Sequence, residues 1–230
     1  MAKIRLGVMV GAASGSLGST VFSHNRYGTY VRLRSVPTKA TSLYAEGAKA
    51  VLGLASQIWG NLDDDQRQAW VTWAQTNQIT NTLGDKQTLD GHAACTRLNA
   101  IIYHAGGTPI EIPPIIAAPA GLVTLTGTVD IGAGDVEIVY TPTPLGTNNC
   151  LQLWAAVVSS PGVKYVQNLY KNLTIGPANG ASPLDFEAEL VARFGTLQVG
   201  QIVHLRANVI DKVTGLVSAP LTTQIAVTST

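Results

Sequence analysis

The sequence predicts an α+β protein in which an N-terminal β-arm and a small helical domain precede an antiparallel β-sandwich. Three observations predict it: apolar alternation around a glycine-rich run near the start, a helical period through the next segment, and about seven β-rich segments after a cluster of prolines. The expected division is 1–40 extended basic β-arm, 41–108 helical domain, 109–120 Pro-rich linker and 121–230 sandwich. The 230 residues leave room for one large or two small domains, and 46% apolar residues suffice for a core. Only 13% are charged and the net charge is +1, which excludes a general electrostatic attraction to nucleic acid or membrane but not a local patch. Two cysteines, Cys95 and Cys150, cannot make a disulfide framework, and no run of about 18 apolar residues suggests a membrane span.

The arm opens with Ile4, Leu6, Val8 and Val10 in alternation, turns through Gly11 to Gly18, and continues with Val21, Tyr27, Tyr30 and Val31 up to Pro37. An isolated two-stranded ribbon is marginal in water, so this arm is expected to pair with another sheet or another chain. Leu43, Ala50, Val51, Leu54, Ala55 and Ile58 then keep a period near 3.6. Asp63 followed three residues on by Gln66 marks a second helix start, with Ala69, Trp70, Trp73 and Ala74 on one face. A polar loop, Thr76 to Gln87, leads to a third helix from about Asp90, burying Ala94, Leu98, Ile101, Ile102 and Ala105 and ending at Gly106-Gly107. Pro109, Pro113, Pro114 and Pro119 predict a semi-rigid linker. Strands are expected at Leu122–Val129, Val136–Tyr140, Leu151–Val158, Tyr165–Ile175, Leu184–Val191, Ile202–Val209 and Leu221–Val227.

Few motifs carry chemistry. Gly11, Gly15 and Gly18 follow an apolar strand at the spacing of a dinucleotide loop, but that chemistry needs a helix N-terminus to meet the pyrophosphate. Here the chain continues as β-like Ser19–Gly28, and no acid follows for about 28 residues, so the run reads as a glycine-rich turn. His92 and Cys95 share one helical face, yet a metal site needs three or four ligands and no second such pair lies nearby. Asp63, Asp64 and Asp65 are read as helix-capping acids. Asp185, Glu187 and Glu189 alternate with apolar residues and are expected on the wet face of a strand. Neither a phosphate-binding Gly-Lys-Ser/Thr loop nor Gly-x-Ser-x-Gly occurs. The expectation is a protein that is not an enzyme, with no catalytic residue, cofactor or metal.

The basic arm has the stronger claim. Residues 1–39 hold six of the fifteen Lys and Arg and no acid, a local charge of +6. Arg26, Tyr27, Tyr30, Arg32 and Arg34 are the candidate partner-binding residues. Interleaved Arg and Tyr suit phosphates and bases. They suit still better the carboxylates of a neighbouring subunit, with Tyr27 and Tyr30 packing. Trp59, Trp70 and Trp73 are expected in the helical core rather than around a ligand.

Three separated runs carry a resemblance. Gly15–Pro37 with its Asn25-Arg-Tyr-Gly28, Leu62–Ala74 with Gln66-Arg-Gln-Ala-Trp70, and Asn81–His92 with Asn81-Thr-Leu-Gly84 resemble, in that order, poorly characterised proteins of phage and prophage-like regions. The match covers about residues 7–118, with Thr38-Lys39-Ala40 standing where that family often has Asn-Pro. Leu197–Pro220 and Pro119–Leu122 resemble a fibronectin type III domain, whose corner tyrosine would fall near Val203 and is absent. The resemblances imply a bacteriophage virion structural protein, capsid-associated as a decoration or minor capsid component. It would be assembled in the host cytoplasm into the virion, with itself and other virion proteins as partners. A tail, fibre or head–tail adaptor part, or a nucleic-acid-binding accessory protein using the arm, is the alternative.

Overall fold

A computed structural model describes residues 2–3, 13–25, 28–35, 42–80, 86–163 and 165–229. The described residues form a mixed α+β protein of four helices and four antiparallel sheets, in two compact units, Met1–Glu46 and Gly47–Thr230. Among them no helix is long and apolar enough to cross a membrane.

The first unit holds β1 (Ala2–Lys3), β2 (Gly15–Leu17), β3 (Thr20–Asn25) and β4 (Gly28–Leu33), in the order β1-β4-β3-β2. The arm is therefore not the bare ribbon expected of it, because it closes a small sheet of its own. Turn chemistry explains the difference. Gly18 takes the left-handed φ of 58° in the two-residue connection from Leu17 to Thr20, a conformation that glycine reaches without steric cost. The strand then returns on both sides, Ala2 pairing with Val31 and Phe22 with Val31 from the opposite edge. A strand, and no helix, follows Gly15–Gly18, so the phosphate-cradling geometry is missing. The expected alternating strand of Ile4 to Val10 lies outside the described residues, as does Gly11.

The second unit opens on helices. In α1 (Leu43–Asn61) the apolar period is present, yet only Ala55 is buried, and Leu52 and Leu54 are 55% and 48% exposed. Helix α2 (Asp64–Thr76) starts with a complete capping box: Gln66 N–H donates to Asp63 Oδ1 at 2.7 Å and Asp63 N–H to Gln66 Oε1 at 3.0 Å. Trp70 and Ala74 pack from it onto Ala94, Cys95 and Leu98 of α3 (Gly91–His104). That helix ends as its sequence predicts. Gly106 adopts φ 69°, while Gly107 N–H reaches back to Ile102 O at 2.9 Å and Gly106 N–H to Tyr103 O at 3.1 Å. The Thr76–Gln87 stretch corrects the expected loop: Ile79–Thr80 (β5) and Lys86–Gln87 (β6) pair as a short antiparallel ladder.

The proline-rich stretch has no regular structure, and it is tied down. The fully buried Asn99 holds Ile110 from both sides, its Nδ2 donating to Ile110 O at 3.0 Å and its Oδ1 accepting from Ile110 N–H at 2.7 Å. Trp70 Nε1 donates to Glu111 O at 2.7 Å and Trp73 Nε1 to Pro114 O at 3.0 Å. What composition reads as a linker is a strap across α2 and α3.

Downstream come β7 (Thr124–Asp130), β8 (Asp135–Thr141), β9 (Asn149–Val158), β10 (Lys171–Ile175), β11 (Leu184–Asp185), α4 (Glu187–Phe194), β12 (Ile202–Asp211) and β13 (Leu221–Ala226). They form a three-stranded sheet, β11-β8-β7, and a four-stranded sheet, β10-β9-β12-β13. Alternate residues of both line one core: Val129, Ile138 and Tyr140 from the first, Leu151, Leu153, Val203 and Leu205 from the second. Val203, where the corner tyrosine would fall, is fully buried. Two expected strands need correction. Lys171, not Tyr165, begins β10, because residues 167–169 turn. Of Leu184–Val191 only Leu184–Asp185 is strand, and Glu187–Phe194 is helix. Glu187 and Glu189 therefore stand in the first turn of α4, where acids complement the helix dipole, instead of on a strand's wet face. Asp185 Oδ1 takes Glu187 N–H at 2.9 Å, and Phe186, Leu190 and Phe194, four residues apart, turn one stripe to the core.

Candidate interaction surface

The register of the N-terminal sheet sorts its side chains by face. Ser23 stands opposite Tyr30 and Val21 opposite Arg32, so these four share one face. Phe22 opposite Val31, Thr20 opposite Leu33, and Leu17 opposite Thr20 form the other. One face thus carries an aromatic hydroxyl and a guanidinium, and the reverse is a strip of Leu17, Phe22, Val31 and Leu33. Tyr30 is half-buried and Arg32 exposed. Arg34, exposed, lies one residue past β4 and prolongs the ladder through its N–H to Ser19 O at 2.7 Å. Of the five candidate binding residues the structure brings Tyr30 and Arg32 together, with Arg34 next in line. Arg26 and Tyr27, between the paired Asn25 and Gly28, lie outside the described residues.

Residues 15–17, 20–24 and 29–33 of this sheet include no buried residue, and Leu17 and Leu33 are each 76% exposed. Apolar side chains cost free energy in proportion to the area left in water, at about 25 cal/mol per Å². A sheet whose described side chains are at most half-buried gains less from them than a sealed one. Sequence reasoning singled out the basic residues and passed over the apolar strip, although its alternation is legible in Phe22, Val31 and Leu33.

Elsewhere the candidates are accounted for by packing. His92 Nε2 lies 3.2 Å from Ser56 Oγ and its ring is 5.5 Å from that of Trp59. Burial pushes the Cys95 thiol up, opposed by a hydrogen bond from Asn99. Burial likewise raises Cys150, with Lys212 lowering and Asp211 raising it to lesser degrees. A thiol raised in this way stays protonated and is neither nucleophile nor ready ligand. Among the described residues no group of three His, Cys, Asp or Glu could hold a metal ion. Trp70 and Trp73 meet edge to face at 5.9 Å, both within the helical cluster, as expected. A groove of about 590 Å³ runs between α2 and the strap, from Thr72 and Trp73 to Ile115 and Ile116.

No family model matches the chain, and no curated protein matches it either. Among solved structures it is similar to the crystal structure of a Fn3-like protein from Clostridium thermocellum, with 11% identity over 50% of this chain and 96% of that one, at a TM-score of 0.31. The strand orders themselves define the class: seven strands in two antiparallel sheets around one core, the sandwich architecture that fibronectin type III domains share. A fold of this class names no activity by itself.

Proposed function

We propose that this chain is a structural protein of a bacteriophage virion, without enzymatic activity, that joins its neighbours through its N-terminal sheet. The observation that carries the reading is that sheet: four strands, an apolar strip on one face, tyrosine and arginine on the other, and no buried residue among 15–17, 20–24 and 29–33. Strand pairing satisfies the backbone, and only a second surface can cover the side chains. The ordered runs from Asn25-Arg-Tyr-Gly28 to Asn81-Thr-Leu-Gly84 favour a phage origin. In this reading residues 1–40 are the assembly arm, 41–108 a helical hub, 109–120 the connection and 121–230 a fibronectin type III-like module presented outward or bridged to a neighbour.

A capsid-associated position is placed ahead of a tail or fibre position, since a basic extended element suits a line of contacts over a shell. The partners are further copies and other virion proteins, and assembly takes place in the host cytoplasm. Removing residues 1–39 should abolish incorporation into particles and leave the sandwich folded. Normal incorporation of that truncated chain sinks the reading. A second reading, nucleic-acid binding by the basic arm, is favoured by the local +6. It requires DNA retention that falls steeply as salt rises.

A further inference from the structure

The charge of this chain is divided. Residues 1–39 carry +6, and residues 40–230 hold nine Lys and Arg against fourteen Asp and Glu, a local −5. One exposed surface that fits the N-terminal sheet in sign is a sheet as well. On β8, Val136, Ile138 and Tyr140 point into the core, so Asp135 and Glu137 lie on the outer face of the three-stranded sheet. Across the ladder from Glu137 stands Asp185, and across from Asp135 stands Asp130. Two carboxylate pairs are therefore in direct cross-strand register, an arrangement that is destabilising unless a cation relieves it. Neither β7, β8 nor β11 contains a Lys or Arg. Asp130 is held by backbone N–H groups at 2.9 and 3.2 Å and Asp185 by that of Glu187 at 2.9 Å; Glu137 is half-buried and Asp185 exposed.

We propose that the basic face of the N-terminal sheet docks on this outer face of the three-stranded sheet in a second copy of the chain. The inference rests on the reading of that sheet as an assembly element and names what it assembles with. Two sheets stacked face to face stand about 10 Å apart, a gap that Arg and Glu side chains can bridge from opposite sides. Arg32 and Arg34 meet Glu137 and Asp185, Tyr30 packs among them, and the like-charge register of the receiving sheet is relieved. The contact is heterologous, because the surface given differs from the surface received, so it propagates into rings or open chains and does not stop at a two-fold dimer. A single exposed ion pair is worth little, so the several charges act together, and the association weakens as salt shortens the Debye length.

The test is sedimentation of the full chain at low and high salt, with charge reversal. The wild type should self-associate with concentration and dissociate as salt rises. Arg32→Glu/Arg34→Glu and Glu137→Lys/Asp185→Lys should each weaken association roughly tenfold or more, as like charges are brought face to face. The quadruple variant should recover most of it. Melting temperatures of all variants are read alongside, and a lost association counts only where the fold is retained. Where a reversal unfolds the chain, Arg32→Gln/Arg34→Gln and Glu137→Gln/Asp185→Asn replace it. If Glu137→Lys/Asp185→Lys associates like the wild type while removal of residues 1–39 still abolishes particle incorporation, the partner surface is wrong and the assembly reading stands. A wild type that stays monomeric at every concentration and salt, or one whose basic face retains duplex DNA without self-associating, overturns the inference.

Discussion

The chain contains two four-stranded antiparallel sheets that differ in what lies behind them. In β10-β9-β12-β13 alternate residues are sealed against a second sheet, and Leu153, Val203 and Leu205 are fully buried. In β1-β4-β3-β2 the ladder has the same strand count, yet residues 15–17, 20–24 and 29–33 of it include no buried one. Hydrogen bonding between strands is alike in both, and its net worth is small because water competes for the same groups. The difference teaches that the second layer, more than the pairing, stabilises a sheet. An element whose described residues stay unsealed is the natural place to look for a partner.

That contrast can be broken or sharpened by substitution. Leu205→Ala in β12 leaves a cavity in a core with 0% exposure and should cost about 3 kcal/mol or more, read as a lower urea midpoint. Phe22→Ala in β3, at a position that is not sealed, should cost less than Leu205→Ala in the dilute chain, about 1 kcal/mol. Equal losses at the two positions would mean that the N-terminal sheet already has its cover.

Next in size, Asn99→Ala strips both partners from Ile110 N–H and C=O and should cost about 2 kcal/mol. The loss should be accompanied by faster amide exchange at Ile110. A smaller effect concerns pH. Burial raises both Cys95 and Cys150 above 9.0 in the folded chain, so the unfolded chain ionises first. Their contribution is complete below about pH 9 and declines as pH rises through the folded values. The urea midpoint of a Cys95→Ala/Cys150→Ala chain should therefore fall less between pH 8 and pH 10. Smallest of all, Leu33→Ser at a 76% exposed site should shift stability by no more than about 0.5 kcal/mol. The same change should leave self-association through the basic face unchanged, because Leu33 lies on the opposite face.

Local signals in the sequence were reliable where chemistry and position coincide. Asp63 with Gln66 and Gly106 with Gly107 are legible because a cap is written within four residues. Most strand positions are legible too, since Gly, Pro and Asn punctuate them, though not Leu184–Val191 or the start of β10. What could not be read is long-range. Leu184–Val191 alternates well enough to pass as strand, but Phe186, Leu190 and Phe194 repeat every fourth residue, and the core is reached by that stripe. The strap could not be read from its prolines, because its anchors are Trp70, Trp73 and Asn99, far back in the chain. For the candidate surface, Arg32 and Tyr30 were legible as a basic aromatic pattern. Their shared face depended on a register that Gly18 and the returning Ala2–Lys3 define. The acidic register of Glu137 and Asp185 brings together residues 48 apart, which no local pattern announces.

The strap has an optical consequence. Both indoles that hold it, Trp70 and Trp73, donate their ring N–H to main-chain oxygens of residues 111 and 114. Indole emission responds to whether that group and its ring meet water. Lifting the strap away from its two helices would therefore redden the emission of these two of the chain's four tryptophans.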